Sequence, residues 1–141
     1  INALVSNNIR VCGHLGLQPQ LVVDSSGYKV QGRDEADAKS ILDNAKLLES
    51  IGVSILVLEC IPSNLAKLIT KKLKIPTIGI GAGKDCDGQV LVSYDMLGIT
   101  LGRQPRFVRN FLSSESSISS AIKAFVSEVK EGSFPNKNES Y

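Results

Sequence analysis

Ser54-Ile55-Leu56-Val57-Leu58-Glu59 runs four apolar residues together without polar alternation and ends them on a carboxylate. A strand of that kind is covered on both faces, as strands are in a parallel sheet. The flanking pattern agrees. Upstream, residues 34–51 repeat Ala38, Ile41, Leu42, Ala45 and Leu48 at three- and four-residue spacing, which predicts a helix. Asp34, Glu35 and Asp37 suit its positive end, and Gly52 stops it. Downstream, Ser63 is expected to cap a helix to residue 73 with Leu65, Leu68, Ile69 and Leu73 inward. Residues 75–80 read as a third strand with Pro76 at its start, and residues 89–93 as a short fourth. Residues 9–13 read as the first strand. A long Gly- and Pro-containing loop at 17–33 joins it to the first of these helices.

Beyond the strands, helical segments are predicted near Asp95, at 105–112 and at 117–131, the last with Ile118, Ile122, Phe125, Val126 and Val129 on one stripe. One folded unit is expected over 1–135, followed by a flexible polar tail at 136–141. Alternating strand and helix at this spacing predicts a parallel α/β fold of about four βα units. A complete (β/α)₈ barrel needs eight.

The 141 residues are 43% hydrophobic, enough for a core, and the net charge of +2 comes with no Lys/Arg block. Nothing therefore points to a nucleic-acid or membrane partner, and no apolar run reaches the length of a membrane span. Cys12, Cys60 and Cys86 are too scattered for a disulfide framework or a zinc site and are expected to be reduced thiols of a cytoplasmic protein. The chain opens on Ile1 inside an apolar pattern, which reads as a fragment or a processed product.

Glu59 is the first candidate for chemistry. In barrels, polar groups at the carboxyl end of a strand face the active site. Apolar surroundings raise a carboxyl pKa toward the range of a general base. A structural acid paired with a Lys or Arg is the competing reading. His14, the one histidine, stands in Cys12-Gly13-His14-Leu15-Gly16 near the same end of its strand. It either hydrogen-bonds a substrate carboxylate or carbonyl, or braces the loop. Ile78-Gly79-Ile80-Gly81-Ala82-Gly83 has Lys84 where a dinucleotide fingerprint needs Gly, and it lacks a G-K-[ST] ending, so a tight strand-end turn is preferred. The loop Tyr28-Lys29-Val30-Gln31-Gly32-Arg33 can grip an anion or form a surface or oligomer contact. Asp85 and Asp87 around Cys86 lack further ligands at calcium-site spacing and read as a turn.

Taken in order, several segments resemble one family. Val11-Cys12-Gly13-His14-Leu15-Gly16-Leu17-Gln18-Pro19-Gln20 is similar to its V-x-G-H-L-G-L-x-P-Q segment, and Gly27-Tyr28-Lys29-Val30-Gln31-Gly32-Arg33 to its G-Y-K-V-Q-G-[RK] loop. Leu56-Val57-Leu58-Glu59-Cys60-Ile61-Pro62 resembles the strand end bearing its base. Residues 78–83, Asp87-Gly88-Gln89-Val90-Leu91-Val92, Asp95-Met96-Leu97-Gly98 and Pro105-Arg106-Phe107-Val108-Arg109-Asn110-Phe111 continue the match. The family is ketopantoate hydroxymethyltransferase.

The resemblance implies a (β/α)₈ TIM barrel, of which this chain supplies about the last four βα units. It implies transfer of a hydroxymethyl group from 5,10-methylenetetrahydrofolate to 3-methyl-2-oxobutanoate, giving 2-dehydropantoate for pantothenate and coenzyme A synthesis. Glu59 then matches the general base and His14 a residue close to the keto acid. The family's Mg²⁺ ligands and substrate lysine precede the matched region, so no metal ligand is assigned here. A large homo-oligomer is also implied. Two other readings stay open. One is a catalytically incomplete half-barrel acting only as an assembly module through its open sheet edges. The other is a related keto-acid barrel lyase, which the 27–33 loop disfavours.

Overall fold

The computed structural model describes residues 1–19 and 29–141. Its centre is a four-stranded sheet in the order β1 (Cys12–Gly16), β2 (Ile55–Glu59), β3 (Thr77–Ile80) and β4 (Gly88–Gln89), with each neighbouring pair parallel. Helix α1 (Asn2–Ser6) precedes the sheet, α2 (Glu35–Ser50) and α3 (Ser63–Lys72) are the crossovers, and α4 (Ser93–Met96) and α5 (Ile118–Glu131) follow β4. Parallel strands in sequential order with helical crossovers are the arrangement of barrel βα units. Among the described residues no helix is long and apolar enough to cross a membrane.

The unbroken apolar run of β2 is explained by two clusters. Leu56 and Leu58, both fully buried, pack with Ile41 and Ala45 of α2 and Leu65, Ala66 and Ile69 of α3. Val57 points the other way, into a cluster containing Leu17, Ile80, Met96, Phe107 and Phe111. Period-two alternation thus buries both faces of one strand. The register aligns Gly16 with Glu59 and Glu59 with Ile80, and sets His14 beside Val57.

Several elements depart from the sequence reading. The first strand lies at Cys12–Gly16, three residues later than expected, and Ile9 is exposed. The pairing is carried on past Gly16 when Leu17 N–H donates to the Glu59 carbonyl at 2.9 Å. Ser63 is the first helical residue of α3 and makes no cap. Its hydroxyl and its N–H both donate to the carbonyl of Tyr141, each at 2.7 Å. Leu68, expected inward, is exposed. The fourth strand keeps only two residues. The segment 105–112 turns at Arg106–Phe107, where Val108 N–H donates to the Pro105 carbonyl at 3.1 Å, and leads into a 3₁₀ turn at Phe111–Ser114, where Asn110 Oδ1 accepts from Ser113 N–H.

Helix α5 forms where expected, capped by Ser117 and ended by Gly132, but without the expected stripe. Its contacts run along one flank, where Phe125 meets Phe111 and Phe134 edge-on at ring separations of 5.6 Å. That leaves Ile118, Ile122 and Val126 exposed. The segment 136–141, expected as a flexible tail, is docked. Asn136 and Glu139 form a capping box around a 3₁₀ turn, and the Glu139 carboxylate takes a two-pronged ion pair from Arg109 at 2.6 and 2.7 Å. Arg109 also pairs with Glu128 and lies over the Phe111 and Phe134 rings. Its guanidinium is multiply hydrogen-bonded and stacked, which suits Arg far better than Lys.

Gly16 ties the sheet to the residue that matters most. Its φ is +94°, and a Cβ there would collide with the Glu59 carbonyl and crowd the Ile61 side chain. Gly16→Ala is therefore expected to destabilise the fold by about 2 kcal/mol or more, measured by urea unfolding. The same substitution at Gly102, where a Cβ meets nothing, is expected to cost less because only backbone strain remains.

Candidate active site

Glu59 stands at the carboxyl end of β2, as the sequence predicted, with its side chain about nine-tenths buried. Three backbone hydrogen bonds fix the strand end. Leu17 N–H donates to the Glu59 carbonyl, Cys60 N–H to the Ile80 carbonyl and Gln31 N–H to the Cys60 carbonyl, all at 2.9 Å. His14 lies in the middle of β1, not beyond its end, yet its ring reaches up the same face of the sheet. Nε2 of His14 stands 3.1 Å from Oε2 of Glu59. The approach is off the N–H axis, so Nε2 is left buried without a well-aligned hydrogen bond. We treat the contact as electrostatic, with capacity remaining at Nε2 for a further acceptor.

Burial pushes the Glu59 carboxyl up from its ordinary value. The charge of His14 pulls the other way but does not win. The Cys60 thiol is pushed up to about 11, first by burial and then by the neighbouring Glu59 charge, so it stays a thiol. Cys86 is raised too, chiefly by burial. Neither cysteine has the depressed pKa of a nucleophile.

A cleft of about 330 Å³ opens above Glu59. Ile80, Val92, Leu101 and Phe107 supply apolar wall, and Asp95, Arg103 and Gln104 supply polar groups. Arg103 is the only cation among its lining residues. Sequence reasoning assigned no role to these positions. The Pro105–Phe107 motif was visible, but nothing in its spacing said that it folds back over a strand three elements earlier.

Gly81 to Gly83, directly after β3, form the strand-end turn preferred from sequence. Gly81 has φ +62°, and a Cβ there would come within 2.6 Å of the Phe107 ring, so the glycine lets Phe107 close against the sheet. Asp87 is structural, since its Oδ2 accepts from Thr77 N–H at 2.8 Å and from Thr77 Oγ1 at 2.9 Å. Asp85 pairs with Lys67 at 3.1 Å. Of the basic loop, Tyr28 and the residues before it back to 20 lie outside the described residues. Gln31 holds the Cys60 carbonyl, and Lys29 and Arg33 are exposed. Among the described residues no group of three or more His, Cys, Asp or Glu can hold a metal ion.

The family model for ketopantoate hydroxymethyltransferase matches residues 1–137. The chain belongs to that family. Its relatives include the 3-methyl-2-oxobutanoate hydroxymethyltransferases of Ruthia magnifica, 57% identical over 136 residues, and Vesicomyosocius okutanii, 56% identical over 138. Those matches cover 96% and 98% of this chain, but 52% and 53% of the relatives' own lengths. The Buchnera aphidicola (Schizaphis graminum) relative is 52% identical over all 141 residues, which is 54% of its length. The chain spans about half the length of the curated relatives it matches. The four-stranded parallel sheet of this chain thus corresponds to about half of that family's (β/α)₈ barrel.

A raised carboxyl pKa has a thermodynamic consequence. The folded state holds the Glu59 proton more tightly than the unfolded chain does. Its contribution to stability is full below about 4.5 and is lost as pH rises through the raised folded value. Replacing it by the neutral isostere removes this loss. The stability advantage of Glu59→Gln over the native chain should grow from pH 4.5 upward and level off once the pH has passed the raised folded value, as read from urea unfolding across pH.

Proposed function

We propose that this chain supplies the proton-abstracting half of an enzyme that transfers a hydroxymethyl group to 3-methyl-2-oxobutanoate. The observation carrying this reading is the 3.1 Å approach of His14 Nε2 to a buried Glu59 beneath an open cleft. Family membership adds the substrate, because the relatives carry that acid in their names.

The chemistry fits the residues. The C3–H of a 2-keto acid is acidic because its conjugate base is an enolate. The Glu59 carboxylate takes that proton, and a carboxyl raised toward neutrality is a better-matched base than an ordinary glutamate. C3 then forms a carbon–carbon bond to a one-carbon unit at the formaldehyde oxidation level. With 5,10-methylenetetrahydrofolate as donor, one water completes the balance, giving tetrahydrofolate and 2-dehydropantoate, a precursor of pantothenate and coenzyme A. His14 Nε2, next to the base, is the donor we assign to the carboxylate or keto oxygen of the acid. Arg103 and the apolar rim of the cleft are suited to an anionic co-substrate with a flat apolar body.

Mg²⁺ is the metal the resemblance implies. The described residues of this chain do not fit it, and no step is derived through it. We assign its ligands to the part of the relatives' length that this chain does not span. The reaction is placed in the cytoplasm, where the three free thiols would stay reduced.

The test is tetrahydrofolate-dependent exchange of the C3 proton of 3-methyl-2-oxobutanoate, in a protein carrying this chain at its relatives' full length. Glu59→Gln should lower the exchange rate about 10²- to 10⁴-fold. His14→Gln should act mainly through weaker keto-acid binding. Retention of the native rate by Glu59→Gln would remove the base from this site and favour a half-barrel that serves only in assembly.

A further inference from the structure

We propose that residues 136–141 form a brace that holds the Glu59 carboxylate in place under its cleft, with Tyr141 the positioning residue through which they act. The inference rests on the reading of Glu59 as the base.

Cys60, immediately after Glu59, is fully buried and has φ +52°. A side-chain-bearing residue stays in that left-handed region only where its surroundings over-determine it. Two of the constraints on this turn are the backbone hydrogen bonds at Cys60 already described. The others come from Tyr141. Its side chain packs against the buried cluster that holds Cys60. Its carbonyl accepts both the N–H and the hydroxyl of Ser63, three residues further on. The turn from Glu59 into α3 is therefore held at both ends by one residue 82 positions away from Glu59.

Tyr141 also holds the opposite wall. Its ring meets Phe107 edge-on at 6.4 Å, and the Arg106 guanidinium lies 5.3 Å from its centroid. Phe107 and Pro105 line the cleft above Glu59. One side chain thus spans from the turn behind the carboxylate to the wall in front of it. The brace is itself anchored by the Asn136 capping box and the Arg109–Glu139 pair. A segment that only filled a surface gap would need neither the link to Cys60 nor the link to the cleft wall.

The consequence is specific. Loss of the Tyr141 ring frees the Cys60 turn and admits water behind Phe107. Glu59 then loses its alignment and part of its burial. The charged or titratable groups around it are His14 on β1, Asp95 and Arg103 across the cleft, and the Cys60 thiol beside it. A change at Tyr141 removes none of these groups, and the Cys60 thiol, pushed up to about 11, stays neutral over the pH range followed, so a shift in the pH profile reports the brace.

The experiment compares Tyr141→Ala, Tyr141→Phe and Ser63→Ala with the native enzyme at its relatives' full length. Proton exchange is followed from pH 4 to 9, with thermal melting in parallel. For Tyr141→Ala the expected result is a kcat lower by roughly 10- to 100-fold, a nearly unchanged KM for the keto acid and an acid limb moved to lower pH. Tyr141→Phe keeps the ring and the backbone carbonyl and should recover most of the rate. Ser63→Ala should move the limb the same way by less, which keeps the test available if Tyr141→Ala does not fold. An unmoved limb and unchanged kcat in the folded variants, or a loss of Tm without either change, overturns the brace. Native activity in Glu59→Gln would instead overturn the base assignment, whatever the Tyr141 variants do.

Discussion

A carboxylate that has given up most of its water without gaining a full partner is the constraint on which this structure turns. Glu59 ends an interior strand of the sheet, and the nearest cation-forming group, His14, meets it at 3.1 Å but off-axis. Burial outweighs the pull of the imidazole, so the proton is held above the ordinary carboxylate range. A well-aligned ion pair would have lowered that value and left a weak base. The misaligned pair instead leaves the carboxyl raised and Nε2 able to bind something else. Fold stability is compromised at this one position, a common trade at functional sites.

The rest of the sheet serves that geometry. Leu56 and Leu58 lock β2 against α2 and α3, while Val57 and Glu59 face the other way by the alternation of the strand. Gly16 lets β1 come close enough for Leu17 to bond the Glu59 carbonyl, and Gly81 lets Phe107 close over the end of β3. Each glycine answers a close approach, and both approaches bound the same small volume.

Much of this was legible in the sequence. Four apolar residues ending in Glu59 have one physical meaning in a parallel sheet, and the helices over α2 and α5 follow local rules that tertiary contacts did not override. What could not be read depends on contacts distant in sequence. The first strand was placed at 9–13 because its apolar residues sit there. The pairing with β2 that moves it to Cys12–Gly16 involves residues more than forty positions away. Ser63 looked like a cap, but Tyr141 claims its hydroxyl. The stripe on α5 was chosen by periodicity alone, whereas three packed phenylalanines select a narrower flank and leave Ile118, Ile122 and Val126 outside. The polar composition of 136–141 suggested a loose end, and the Arg109–Glu139 pair and Tyr141 instead dock it. His14 and Glu59 were both marked, but their direct contact was not foreseeable, since it needs the register of β1 against β2.

The most direct test of the central claim is the ionisation of Glu59 itself. Carbon-13 NMR of the chain labelled at glutamate carboxyls, with the Glu59 signal assigned by its loss in Glu59→Gln, gives the titration midpoint. A midpoint above that of an ordinary glutamate is expected, with the ring signals of His14, the only histidine in the sequence, moving as Glu59 ionises. A midpoint at or below the ordinary value, with His14 indifferent to it, would contradict a buried and poised base at the end of β2.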